Sequence, residues 1–164
     1  MDLNFSPDEI LKLAEQIEKN GIKFYTRAAE ETKGKTEIKD QFIKLADMER
    51  EHQKIFVSML NKLGAKRNIE INDPEGHVIL YFKAWVDRQI FDDNGGLAET
   101  LIKNRSVADI LKIAIGLERN SILFYLGMKE MTEVEDSWQE IDYIIKEEMK
   151  HIAFLNKEFE NNQS

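Results

Sequence analysis

Cysteine is absent from this chain of 164 residues, which removes disulfides, thiolate metal sites and a cysteine nucleophile from consideration. Any metal it binds must be held by oxygen and nitrogen donors. Proline occurs only twice and histidine only three times, while a third of the residues are charged. No fully apolar run exceeds five residues, the length of Val78 to Phe82, far below the ~20 that a membrane-spanning helix needs. Basic residues are outnumbered 31 to 23, giving a formal charge of −8, the wrong sign for a binder of phosphate backbones. The opening MDLNFSPDEI lacks the basic-then-apolar order of a secretion signal. The expectation is a soluble cytoplasmic protein that engages neither nucleic acid nor membrane, forming a single domain over residues 1–164.

Scarce proline together with abundant Glu, Lys, Ile and Leu favours long amphipathic helices. Ser6-Pro7-Asp8-Glu9 reads as a helix start, with Ser6 as the cap, Pro7 in the first turn and Glu9 closing a capping box. Leu11, Ala14, Ile22, Tyr25 and Ala29 then recur at helical spacing, predicting a helix over about 7–33 that Lys33-Gly34-Lys35 breaks. Phe42, Leu45, Phe56, Met59 and Leu63 mark a second helix over about 36–63, with Gly64 as its cap. Residues 65–105 form a connector. Its breakers, NDPEG and DDNGG, flank one short helix predicted over about 77–91, whose Val78, Tyr81, Phe82 and Trp85 would cover the bundle side or another subunit. Two more helices follow, over about 106–131 and 136–160.

The third long helix repeats the first. Residues 10–25 read ILKLAEQIEKNGIKFY and residues 110–125 read ILKIAIGLERNSILFY, identical at nine of sixteen positions without a gap. At an offset of 99, the fourth helix superimposes on the second, placing Glu148 on Glu49 and His151 on His52. The chain is one helical hairpin written twice.

Six polar residues interrupt the apolar stripes of this duplicated hairpin. Glu18 lies four residues after Ala14 and four before Ile22, Glu118 sits equivalently between Ala114 and Ile122, and Glu49 and Glu148 follow Leu45 and Ile144 by four. His52 and His151 each come three residues after a glutamate, so each Glu-x-x-His presents an oxygen and a nitrogen on one helix face. A solvated-face reading would require the flanking apolar stripes to face water. Buried together, four carboxylates would be too costly without cations, and two divalent metals would balance them. Hard oxygen donors with one imidazole per metal suit iron, with manganese or a mixed pair as alternatives. One Glu from each of two helices plus Glu-x-x-His from each of the other two is the ligand inventory of carboxylate-bridged dinuclear bundles. Glu49 and Glu148 would bridge the metals, Glu18 and Glu118 would bind terminally, and His52 and His151 would complete one metal each.

Other matched positions leave their roles open. Tyr25 and Tyr125, seven residues beyond Glu18 and Glu118, would either orient carboxylate oxygens or serve as core residues with satisfied hydroxyls. Gly21 and Ser121 either leave room beside the metals for a small oxidant or permit close helix packing. His77 is expected at the surface or in a cap.

These residues carry a resemblance. Glu18 with Phe24-Tyr25 beyond it, Glu49-x-x-His52, Glu118 with Phe124-Tyr125, and Glu148-x-x-His151 make the chain similar to rubrerythrin-type proteins of the ferritin-like superfamily. The resemblance implies an all-α, ferritin-like four-helix bundle with a long crossover between the second and third long helices. It also implies a non-haem site for two iron ions, reaction with peroxide or dioxygen, and dimerisation. Rubrerythrins draw electrons through a cysteine-ligated rubredoxin iron. With no cysteine, this chain would depend on an external donor such as rubredoxin or a flavoprotein. Rubrerythrins also carry a further ligand Glu one turn after the third-helix glutamate, where this chain has Ser121; the remaining four-Glu, two-His set is closer to that of bacterioferritin, an oxidiser of ferrous iron. The leading expectation is thus a peroxide- or oxygen-reducing oxidoreductase. The alternatives are a ferroxidase or iron-handling protein, and a non-catalytic bundle that metals merely stabilise.

Overall fold

A computed structural model describes residues 6–32, 34, 36–64, 73, 75–88, 96–131 and 135–163. Six helices run in the order α1 (Pro7–Glu31), α2 (Thr36–Gly64), α3 (His77–Arg88), α4 (Gly96–Ile102), α5 (Val107–Met131) and α6 (Glu135–Asn161), with no strand among the described residues. The two hairpin starts are capped by the same chemistry. The Ser6 backbone N–H donates to the Glu9 carboxylate at 2.8 Å, while the Ser106 hydroxyl accepts from the Asp109 N–H at 3.1 Å and donates to its carboxylate at 2.7 Å. The hydroxyl contact with Ser106 also holds the Asp109 pKa below the ordinary carboxylate value. At the other end of α1, the chain leaves the helix at Thr32, whose hydroxyl donates to the Ala29 carbonyl, and turns through Gly34 at φ +83°.

α1 packs against α2 and α5 against α6, and the two hairpins close into a four-helix bundle. Its apolar interior has two halves. One gathers Ile10 and Ala14 of α1, Phe56 and Met59 of α2, Tyr125 and Met128 of α5, and Ile141 and Ile144 of α6. The other gathers Tyr25 and Ala28, Phe42 and Leu45, Leu111 and Ala114, and Leu155 from the same four helices. The start of α1 therefore shares a half with the end of α5, so the second hairpin lies inverted against the first. All six sequence-predicted polar positions fall between these halves.

The connector must travel from the end of α2 to the start of α5, which lie in opposite halves of the bundle. Here the structure corrects the expectation of one embedded helix: α3 and α4 are both helical, and each covers a different half. Phe82 of α3 is fully buried, edge-on to Phe124 with ring centroids 4.9 Å apart, and the Tyr81 hydroxyl donates to the Leu123 carbonyl at 2.7 Å. α5 admits this helix because residue 127 is glycine; a Cβ there would lie 2.7 Å from the Tyr81 ring. Ile102 of α4 enters the opposite half. A seven-residue helix that opens on glycine offers too little periodicity to be seen in sequence. Residues 89–91 of the predicted connector helix, and the side chains of Val78 and Trp85, lie outside the described residues. The long helices match their predicted spans to within two residues, α2 taking in Gly64 rather than being capped by it.

Candidate metal centre

Each long helix contributes to one buried polar layer. Glu18 comes from α1, Glu49 and His52 from α2, Glu118 from α5, and Glu148 and His151 from α6, none more than 4% exposed. Burial follows from register: each glutamate occupies the inward position between two apolar turns of its own helix. Three-residue spacing then puts each histidine beside its glutamate, and the two imidazoles lie nearly parallel with centroids 5.7 Å apart.

His52 Nδ1 lies 3.2 Å from Glu148 and 3.5 Å from Glu18. His151 Nδ1 lies 2.8 Å from Glu148, 3.3 Å from Glu49 and 3.5 Å from Glu118. These contacts are close, yet Glu18 Oε2, Glu49 Oε1, both Glu148 oxygens, His52 Nδ1 and both His151 nitrogens are buried without an aligned hydrogen-bond partner. Such orphaned acceptors and donors are costly unless something else engages them. Their arrangement identifies what could. Glu18, Glu49, His52 and Glu148 bring ligand atoms within 4.8 Å of one another, and so do Glu49, Glu118, Glu148 and His151. Glu49 and Glu148 belong to both sets, whereas Glu18 with His52 and Glu118 with His151 belong to one set each. The residues therefore fit two cations that share two carboxylates.

Electrostatics point the same way. Burial, then the charges of Glu148, Glu118 and Glu18, pushes the Glu49 pKa well above the carboxylate range. Burial and the Glu118 charge drive Glu148 up to about 8 against the opposing pull of both histidines. Burial pulls the two imidazoles down, but the carboxylates facing them prevail, raising His52 to about 10 and His151 to about 9. Without metal, the layer holds protons; a cation would replace them.

Two features of the layer were not legible as geometry in the sequence. Tyr25 does not turn toward Glu18 of its own helix; its hydroxyl crosses to donate to Glu118 of α5, and Tyr125 crosses back to donate to Glu18 of α1. Inversion of the second hairpin makes this exchange possible, because seven residues beyond the glutamate on one helix is level with the glutamate of the antiparallel partner. Both tyrosines are buried, and their pKa values rise well above normal through burial and the charge of the accepting carboxylate, so they remain donors. The second feature is Gly21. A Cβ built there would lie 3.0 Å from Glu49 Oε2 and 3.2 Å from its Cγ, so the missing side chain lets the shared carboxylate rest against α1. Ser121 is not equivalent: its hydroxyl donates to the Leu117 carbonyl one turn earlier at 3.1 Å. His77 stands apart from the layer, an exposed side chain 3.3 Å from Glu75.

Residues 9–89 match the family model described as Rubrerythrin. A solved structure from Thermotoga maritima, provisionally described as a ferritin-like diiron-carboxylate protein, is 27% identical to this chain, covers 93% of it over 93% of its own length, and superimposes with a TM-score of 0.67. The chain is a rubrerythrin-type protein of the ferritin-like superfamily. No curated protein matches it. In this rubrerythrin-type protein the polar layer spans both hairpins, although the family match ends at residue 89, just past α3. No helix among the described residues is long and apolar enough to cross a membrane.

Proposed function

We propose that this chain is a cytoplasmic non-haem di-iron carboxylate oxidoreductase that reduces hydrogen peroxide or dioxygen. The observation that carries this reading is the pair of overlapping ligand sets, each with one histidine and one carboxylate of its own and both sharing Glu49 and Glu148. When bound, a ferrous pair supplies Lewis acidity and two electrons for cleavage of an O–O bond. Glu18 and His52 would hold one ion, Glu118 and His151 the other, and the shared carboxylates would neutralise both. Tyr25 and Tyr125 hold Glu118 and Glu18 in place by donating to one oxygen of each, leaving the other oxygen for metal. Apolar halves above and below the layer keep bulk water from competing for the carboxylates. Without cysteine, the chain cannot carry a thiolate-ligated electron-transfer iron, so reducing equivalents would come from a separate donor such as rubredoxin or a flavoprotein.

Ser121 favours a second reading. With its hydroxyl turned to the Leu117 carbonyl, position 121 offers the layer no further carboxylate, and the remaining four-Glu, two-His set also suits oxidation of ferrous iron. Anaerobic loading with ferrous or manganous ions, elemental analysis, and stopped-flow mixing with peroxide or dioxygen test both. Rapid oxidation by peroxide, with two metals retained per chain, supports the first reading. Rapid oxidation followed by loss of ferric iron to mineral supports the second. Fewer than two metals per chain after loading, with no rise in melting temperature, would leave only a bundle without redox chemistry.

A further inference from the structure

One carboxylate beside the polar layer has no counterpart in the other hairpin. Glu147 precedes Glu148 on α6, and at the offset of 99 that superimposes α6 on α2 it falls on Met48. Both positions are half-buried, and the Glu147 side chain is only 14% exposed. At about 100° per residue, Glu147 lies roughly 40° from His151 around α6 and one turn before it, on the side of His151 away from Glu148. Its hydrogen bond with Lys150, at 2.5 Å, holds its pKa below the ordinary carboxylate value against the effect of burial, and the charges of His151 and His52 act in the same direction. Glu147 therefore stands near both imidazoles, where α6 neighbours α2. His151 supplies an independent observation. Its Nδ1 faces Glu148, Glu49 and Glu118, which turns Nε2 away from the layer, and this buried nitrogen has no hydrogen-bond partner. A histidine that binds metal through Nδ1 carries its proton on Nε2, so the buried N–H needs an acceptor.

Granted a layer that holds two ions, on which this rests, we propose that Glu147 is a positioning residue for one of them: its carboxylate accepts the Nε2–H of His151 and makes the set of Glu118 and His151 the tighter of the two. One carboxylate oxygen keeps Lys150 while the other turns to the imidazole. The Lys150 pair also costs little to loosen, because that side chain is 70% exposed. A hydrogen bond from the ring to a carboxylate is charge-assisted, fixes the imidazole with Nδ1 toward the ion and raises its basicity as a ligand. His52 has no such support from the matching position of its own helix: Met48, four residues before it, offers only a thioether, a weak acceptor. The duplicated hairpin thus builds two ligand sets of the same composition and gives only one of them an outer carboxylate of its own. The ions should therefore load in order, the position of His151 first.

Anaerobic calorimetric titration of the full chain with ferrous ions tests the assignment. Two binding events are expected, and Glu118→Ala should identify the tighter one by removing it. Glu147→Met, which copies the first hairpin, should weaken that event by about 10- to 100-fold and leave the other near native. Glu147→Gln, which keeps a neutral acceptor, should lose less, and Lys150→Ala should change neither event. In protein loaded with zinc as a diamagnetic stand-in, proton–nitrogen NMR spectra should show a downfield, slowly exchanging Nε2–H of His151 that disappears in Glu147→Met. Equal weakening of both events by Glu147→Met would reflect only the loss of a nearby negative charge and would overturn the proposal. So would a Lys150→Ala chain that matched Glu147→Met, or a His151 Nε2–H that the substitution left unaltered. These failures leave the two-ion reading intact, whereas a parent chain that took up fewer than two ions would overturn that reading and the proposal with it.

Discussion

Tyr25 of α1 donates its hydroxyl to Glu118 of α5, and Tyr125 of α5 donates to Glu18 of α1. Each tyrosine thereby fixes a carboxylate that belongs to the other hairpin. Replacing Tyr25 by Phe removes a single oxygen and keeps the ring that lies beside Phe42. Glu118 then loses its positioning contact while Glu18 keeps its own. Loss of such an outer partner costs about 10- to 100-fold in metal affinity at the site it supports. Anaerobic titration of Tyr25→Phe should show one weakened and one near-native binding event, and Tyr125→Phe should weaken the other. Equal weakening of both events in each variant would mean that the tyrosines act through general packing instead.

Gly21 raises a different expectation, because alanine is the better helix residue by about 1 kcal/mol. A Cβ at this position would press on Glu49 from 3.0 Å, so the carboxylate must shift. Since Glu49 belongs to both ligand sets, Gly21→Ala should weaken both metals together. Melting of the metal-free protein should fall by far less than the gain on adding ferrous or manganous ions is reduced. If metal-linked stabilisation matched the parent, the close approach of α1 to Glu49 would have no bearing on the site.

Stability should also respond to pH in a direction set by the buried layer. In the metal-free protein Glu148 titrates near 8 rather than 4.5, and His52 and His151 near 10 and 9 rather than 6.5. Folded protein therefore binds more protons than unfolded chain between about pH 5 and 9, and stability must fall as pH rises through that range. Metal binding displaces these protons, so the increase in melting temperature on adding metal should grow with pH. Melting curves of chelator-treated protein at pH 5.5, 7 and 8.5 provide the check, with Glu148→Gln giving a shallower slope. A metal-free protein that became more stable toward pH 8.5 would contradict the electrostatic account.

Much of this architecture was written in periodicity. Nine identities between residues 10–25 and 110–125 announced two equivalent hairpins, and inward register at Glu18, Glu49, Glu118 and Glu148 announced a polar layer. Both signals depend on contacts within one helix, which spacing reports directly. What spacing does not report is the relation between helices. The exchange of Tyr25 and Tyr125 depends on the inverted packing of α1 against α5, the reason for Gly21 lies on α2, and the reason for Gly127 lies on α3. α4 escaped notice because seven residues complete barely two turns. Its Ile102 finds a place in the core only once the crossover has returned along the bundle.

Sharing of ligands makes the strongest discrimination among substitutions. Glu49 and Glu148 each belong to both sets, whereas Glu18 and Glu118 belong to one. Glu49→Ala or Glu148→Ala should therefore abolish binding of both ions. Glu18→Ala should leave the set of Glu49, Glu118, Glu148 and His151 able to hold one, and Glu118→Ala should leave the other set able to do so. In metal-free protein the same changes should destabilise less than ordinary core truncations do, at about 2–5 kcal/mol, because each also removes a polar group whose burial is costly. Metal analysis after gel filtration, paired with melting of chelated samples, would read both effects. Two ions retained by Glu49→Ala would break the assignment of that residue as a shared ligand, and a Glu18→Ala chain with none would show that the two sets cannot be filled separately.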